Sequence, residues 1–280
     1  MKTSFLATAS VLLVTFVILV GATPEWDDLK VTWGVNIFSK FKSQPRTMAD
    51  AVNNGFKHVG PKICDGSNRY NGLAYVKDND YALTLLYDIN GFIAGIQIGI
   101  TEDQAEQTKY PSPKLRPPFV NDGYTMDRWV LTAYFTDPSK ICTEGRTKEQ
   151  FDEEGTGENL WIQTNANPMK LMKIAKKEEN IEAPWVKGKC FYTMGNHYWY
   201  NITDNMDCNA FFPVFLLYNE EKLNGFGWAL VADLPSSHYE HPGKETFGLF
   251  MESVPKCLTN RGPISTMHIY MTSFPWLNAC

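Results

Sequence analysis

The chain has 280 residues, 44% of them hydrophobic and 20% charged, which excludes a disordered chain and is enough for one large core or two small ones. A net charge of −5 with no basic run excludes a protein built to neutralise phosphates, so no nucleic-acid partner is expected. Aromatic residues make up 14%, a share that suits both a core and a site for a small molecule or a sugar.

Lys2 precedes an apolar run from Phe5 to Val20, and the small residues Gly21 and Ala22 follow it, just before Pro24. That is the pattern of a cleaved secretory signal peptide over residues 1–22. No second apolar run approaches bilayer-spanning length. The expectation is a mature chain without a membrane span, secreted to the extracellular space.

Leu29 to Phe38 is rich in β-formers and reads as a strand. Pro45 and Thr47 open a helix, with Thr47 as cap and Asp50 three residues on; Asn54 and Gly55 end it. Tyr81–Tyr87 and Phe92–Ile100 flank Asn90 and Gly91, a hairpin signal. The prolines between Pro111 and Pro118 bar a helix or a central strand. Trp129–Phe135 reads as a closing strand, and residues 143–158 as an acidic connector. Leu160–Gln163 is then a short strand. Asn167 and Pro168 open a second expected helix, with Leu171, Ile174 and Ala175 inward and Lys170, Lys173, Lys176 and Lys177 outward. Phe211–Tyr218 and Gly225–Asp233 form a second hairpin, and Met267–Met271 the last strand.

The features recur in order. Residues 29–142 and 159–280 each read as strand, helix, hairpin, strand and terminal cysteine. Trp33 matches Trp161, Leu85-Leu86-Tyr87 matches Leu216-Leu217-Tyr218, Gly91 matches Gly225, and His268 takes the place of Thr132. The fold class expected is α+β: a duplicated strand–helix–hairpin–strand unit, helices packed on antiparallel sheet, the two units forming one pseudo-symmetric, disulfide-bonded domain.

All six cysteines lie beyond the signal segment, and an even number in a secreted chain implies three bridges among fifteen possible pairings. The matched positions select Cys64–Cys142 and Cys190–Cys280, which leaves Cys208–Cys257. Asn201 and Thr203 form a glycosylation acceptor.

Chemistry concentrates in the second unit, which holds His197, His238, His241 and His268. His238, Glu240 and His241 lie close in sequence, and His268 is a possible third imidazole for zinc, copper or iron. No Gly-x-Ser-x-Gly elbow or phosphate-binding glycine loop occurs. Asp88, Asp137, Glu240 and Glu245 are available as acids but read as turn or surface residues. The segment from Phe191 to Tyr200 is dense with rings. The leading expectation is a secreted glycoprotein without cofactor that binds a small aromatic, carbohydrate or protein ligand between the units through Tyr198, Trp199, Tyr200, Trp228 and His268. The alternative is a secreted metal-dependent oxidase, oxygenase or hydrolase using His238, His241 and His268.

Overall fold

The computed structural model describes residues 23–65, 68–115, 117–123, 128–260 and 262–280; the expected signal peptide lies outside them. Two antiparallel sheets face each other. The first is built from β3 to β10, after β1 (Lys30–Val31) and β2 (Lys42–Ser43) have crossed elsewhere. Its strands are β3 (Phe56–Val59), β4 (Leu73–Lys77), β5 (Thr84–Tyr87), β6 (Ile93–Thr101), the short β7 (Val120–Asn121), β8 (Arg128–Tyr134), β9 (Leu160–Gln163) and β10 (Leu171–Ile174). The second sheet holds β11 (Trp185–Phe191), β12 (Gly195–Tyr200), β13 (Val214–Asn219), β14 (Lys222–Leu230) and β15 (Ser265–Tyr270). From one edge, the first sheet runs β10–β9–β8–β6–β5–β4–β3 and the second β2–β1–β15–β14–β13–β12–β11. The strands β1 and β2 therefore lie in the sheet of residues 185–270, whereas β9 and β10 lie in that of residues 56–134.

Register agrees as closely as order. Gly95 pairs with Tyr134, and Gly225 with Tyr270. The hairpin ladders slip at the same place, between Leu86 and Tyr87 and between Leu217 and Tyr218. The Tyr87 hydroxyl donates to the Pro45 carbonyl, and the Tyr218 hydroxyl to that of Ala175. Tyr75 meets Tyr87 edge-on at 5.5 Å and Tyr198 meets Tyr218 at 5.4 Å. These pairings place Gly95, not Gly91, opposite in role to Gly225. They also set Trp161 against Tyr134 where Lys30 faces Tyr270, so Trp33 stands beyond the matched strand.

The inner faces bury one core between the sheets, with Leu85, Ile96, Ile98 and Leu131 from one side and Leu216, Phe226, Trp228 and Met267 from the other. Burial of such side chains contributes roughly 1.5–3 kcal/mol each. Several segments cover each outer face: Tyr70, before β4, and Val120, between β6 and β8, pack on Leu86 and Tyr134, and Phe41, between β1 and β2, and Phe247, between β14 and β15, pack on the cluster of Trp199, Phe215 and Tyr270.

Helices are short. The expected first helix is α1 (Met48–Asn53), whose cap Thr47 accepts from the Asp50 backbone. The others described are α2 (Glu102–Gln107), α3 (Pro138–Ile141), α4 (Lys148–Glu154) and α5 (Lys256–Asn260). The expected second helix is instead the edge strand β10: Leu171 and Ile174 pair with Gln163 and Leu160. An apolar pair three apart fits a helix face, but the open edge of β9 supplies backbone partners that a short lysine-rich helix in water would lack. The connector is a structural part. Arg146 in it is buried and donates to the carbonyls of Ile93 and Gly155, while Asp88 accepts its backbone N–H at 3.0 Å.

Cys64–Cys142 and Cys190–Cys280 are bridged, with Cα–Cα distances of 4.9 and 6.0 Å. Cys208 is disulfide-bonded; the side chain of its expected partner, Cys257, lies outside the described residues. Among the described residues no helix is long and apolar enough to cross a membrane.

Candidate functional site

A cavity of about 250 Å³ lies on the outer face of the second sheet. Strand alternation builds its floor. His197 and Trp199 on β12, Phe215 on β13 and His268 on β15 all point outward. Glycine shapes it twice. At Gly227, the cross-strand partner of Phe215, a Cβ would stand 2.1 Å from the Phe215 ring, so its absence lets that ring lie across β14. At Gly188 a Cβ would stand 2.4 Å from the Phe250 carbonyl, so the covering segment can hydrogen-bond to Lys189 at 3.1 Å. Leu249 and Phe250 on that segment, with Pro242, roof the cavity.

The rings form a continuous wall. His197 stacks on Phe250 at 5.5 Å and Phe215 at 5.8 Å, Trp199 lies 5.1 Å from Phe215, and Phe215 meets His268 edge-on at 4.9 Å. Trp33 closes one side, 6.3 Å from His268 and 5.8 Å from Phe191. It arrives by a bend: Thr32, a β-branched residue, has φ of 72°, a left-handed conformation held by a bond from its hydroxyl to the His238 carbonyl. The strand expected over Leu29–Phe38 ends there, and the turned backbone aims the Trp33 N–H at Glu240.

Glu240 is the acidic centre of the site. Its carboxylate accepts from the Trp33 N–H at 2.6 Å, from the Thr266 hydroxyl at 3.0 Å and from His268 Nδ1 at 3.0 Å. His268 thus presents Nδ1 to the carboxylate, and its second ring nitrogen, Nε2, takes no part in that contact. Burial, with His268 nearby, pushes the His197 imidazole down to about 3, so it is neutral; it contacts the Lys189 carbonyl through Nδ1.

The site differs from the first sheet at matched positions. His197 stands where the first sheet has Ala74, and Trp199 where it has Val76. The cross-strand pair Phe215 and Gly227 replaces Thr84 and Gln97. His268 replaces Thr132. Glu240 bridges Thr266 where Val120 pairs with Val130. In the first sheet Gln97 donates to Thr132 at 2.9 Å and both are buried.

Of the residues expected to bind a ligand, Trp199 and His268 line this cavity. Tyr198 faces the inter-sheet core and donates to Glu178 at 2.8 Å. Tyr200 packs on Phe212 and Trp185 on the same side. Trp228 is fully buried between the sheets. Of the histidines expected to hold metal, His241 and His268 line the cavity, but His241 Nε2 lies 3.1 Å from the Leu234 carbonyl. His238 lies elsewhere, 3.8 Å from Asp80, with burial lowering its pKa against that neighbour. Among the described residues no group of three or more His, Cys, Asp or Glu side chains is gathered as for a metal ion. Asp88 and Asp137 serve turns and caps. Sequence reasoning placed Glu240 beside histidines but did not pair it with His268, and it left Trp33, Phe215 and Phe250 out of the site. The signal was a comparison of the units, which needed the true register. Comparisons with family models, with curated proteins and with solved structures return no match.

Proposed function

We propose that the protein is a secreted, disulfide-bonded glycoprotein that binds a small, largely apolar ligand in the cavity under Phe250, on the outer face of the second sheet. We further propose that the chain is a duplication whose units each lend their first two strands to the other unit's sheet. Shared strand order, matching ladder slips and the paired tyrosine contacts support the second reading. The first is carried by one observation: where matched outer positions differ, the second sheet's residues His197, Trp199, Phe215, Glu240 and His268 converge on one cavity. A cavity of about 250 Å³ exceeds the roughly 150 Å³ that holds benzene. Exposure of Asn201 and the disulfides support the secretory setting.

The test is thermal shift against small aromatic compounds, in which a ligand stabilises by mass action. Trp199→Ala abolishes the shift while the protein stays folded. Trp228→Ala, between the sheets, instead costs about 3–5 kcal/mol of stability. A ligand shift that survives Trp199→Ala places the site elsewhere.

A further inference from the structure

The donors and charges of this cavity specify its ligand more narrowly, on the reading that it is a ligand site. The side-chain donors lining it are directed at protein acceptors. The Trp33 indole N–H goes to the Thr193 hydroxyl at 2.8 Å and that of Trp199 to the Phe250 carbonyl at 3.4 Å. The Thr246 hydroxyl goes to the Gly243 carbonyl and the Thr266 hydroxyl to Glu240. His268 uses Nδ1 on Glu240, neutral His197 uses Nδ1 on the Lys189 carbonyl, and His241 Nε2 lies 3.1 Å from the Leu234 carbonyl. What the side chains leave to a ligand is the negative charge of Glu240, the second ring nitrogens of three imidazoles and the faces of the rings. Charge points the same way: the lining holds the Glu240 carboxylate and no lysine or arginine. A carboxylate or phosphate entering here would meet the Glu240 carboxylate and neither lysine nor arginine. A protonated amine would lie against electron-rich ring faces and be neutralised by the Glu240 carboxylate.

The geometry points to a small arylalkylammonium as the ligand class: one aromatic or apolar body against Trp199, Phe215 and Phe250, and one ammonium group beside Glu240 and His268.

Calorimetric titration of the full mature protein with three compounds of one skeleton tests this: 2-phenylethylamine, 2-phenylethanol and phenylacetate. The amine is expected to bind about tenfold or more tightly than the alcohol, and phenylacetate not to bind over the same range. Equal affinity for amine and alcohol, or binding of phenylacetate, overturns the inference while leaving the cavity as a ligand site. Failure of all three to bind removes the ligand-site reading itself. In Glu240→Gln, the ratio of amine to alcohol affinity is expected to fall to about one. The three-compound series on the native chain decides the matter even where that variant does not fold.

Discussion

The outer faces of the two sheets share one frame and fill it differently. On the first, Ala74, Val76, Thr84 and Thr132 are small, and Gln97 spends its amide on Thr132. On the second, the same positions carry an imidazole, an indole, a phenyl ring and a second imidazole, and the residue opposite the phenyl ring is glycine. The inner faces differ far less in character: Leu85, Tyr87 and Leu131 hold the positions that Leu216, Tyr218 and Met267 hold in the second sheet. The contrast shows which face specifies the sandwich. With the inter-sheet side kept apolar, the far side can be rebuilt, provided that volume is exchanged between cross-strand neighbours.

The largest effect is expected where the first sheet is anchored by charge and the second is not. Asp88, after β5, accepts backbone N–H groups of Asn90, Phe92 and Arg146, and the Arg146 guanidinium lies within 3.8 Å of it. At the matched place Asn219 accepts the N–H groups of Ala279 and Cys280, with no charge involved. Arg146→Ala leaves a buried carboxylate unpaired and is expected to cost about 3–5 kcal/mol in urea unfolding. Asn219→Ala is expected to cost about 1 kcal/mol. Equal costs would erase this asymmetry.

Next comes the pH dependence that His197 adds and Ala74 cannot. Burial holds the folded pKa near 3 against an ordinary 6.5. Between those values the unfolded chain binds more protons than the folded one, so the stability from neutral His197 is complete above 6.5 and is lost as pH falls towards 3. The slope is expected to reach about 1.4 kcal/mol per pH unit. His197→Gln removes it; an unchanged slope in that variant assigns acid sensitivity to other groups.

A smaller and more local effect tests the volume exchange. Gly227→Gln, which installs the first sheet's residue, drives a side chain into the Phe215 ring and is expected to cost about 1–3 kcal/mol and close the cavity. Adding Phe215→Thr recreates the first sheet's Thr84–Gln97 pair and is expected to recover most of the stability but none of the ligand binding. Additive losses in the double variant would deny the coupling.

Much of this frame was legible in the chain. Asn90 and Gly91 between apolar runs marked the first hairpin, Thr47 and Asp50 marked α1, and the matched cysteines selected both described bridges. Those signals are local, or depend only on order. Leu171–Ile174 was misread because four residues hold too little periodicity to separate a helical turn from an edge strand. The site was half legible. A ring-rich strand pointed to Trp199, yet alternation turned Tyr198 and Tyr200 to the inner side. The Glu240–His268 contact joins residues 28 apart, and it depends on a bridge to Thr266 that no sequence pattern announces.

The smallest expected effect separates the two segments that follow β2 and β10. Both close against a hairpin turn, through the bridges Thr47–Phe92 and Lys177–Lys222. After the first comes α1, six residues long, whose cap Thr47 accepts from the Asp50 N–H at 3.1 Å. After the second come only Glu178–Asn180 in a single 3₁₀ turn, and Lys177 makes no side-chain cap bond. A helix that short cannot offset its own nucleation, so the cap and the bridge to Phe92 must hold it. Thr47→Ala is expected to cost about 1 kcal/mol and to speed exchange of the Asp50 amide, whereas Lys177→Ala is expected to stay within about 0.5 kcal/mol. If Thr47→Ala is as silent as Lys177→Ala, the bridge alone orders both segments, and α1 is a consequence of the closure and not one of its causes.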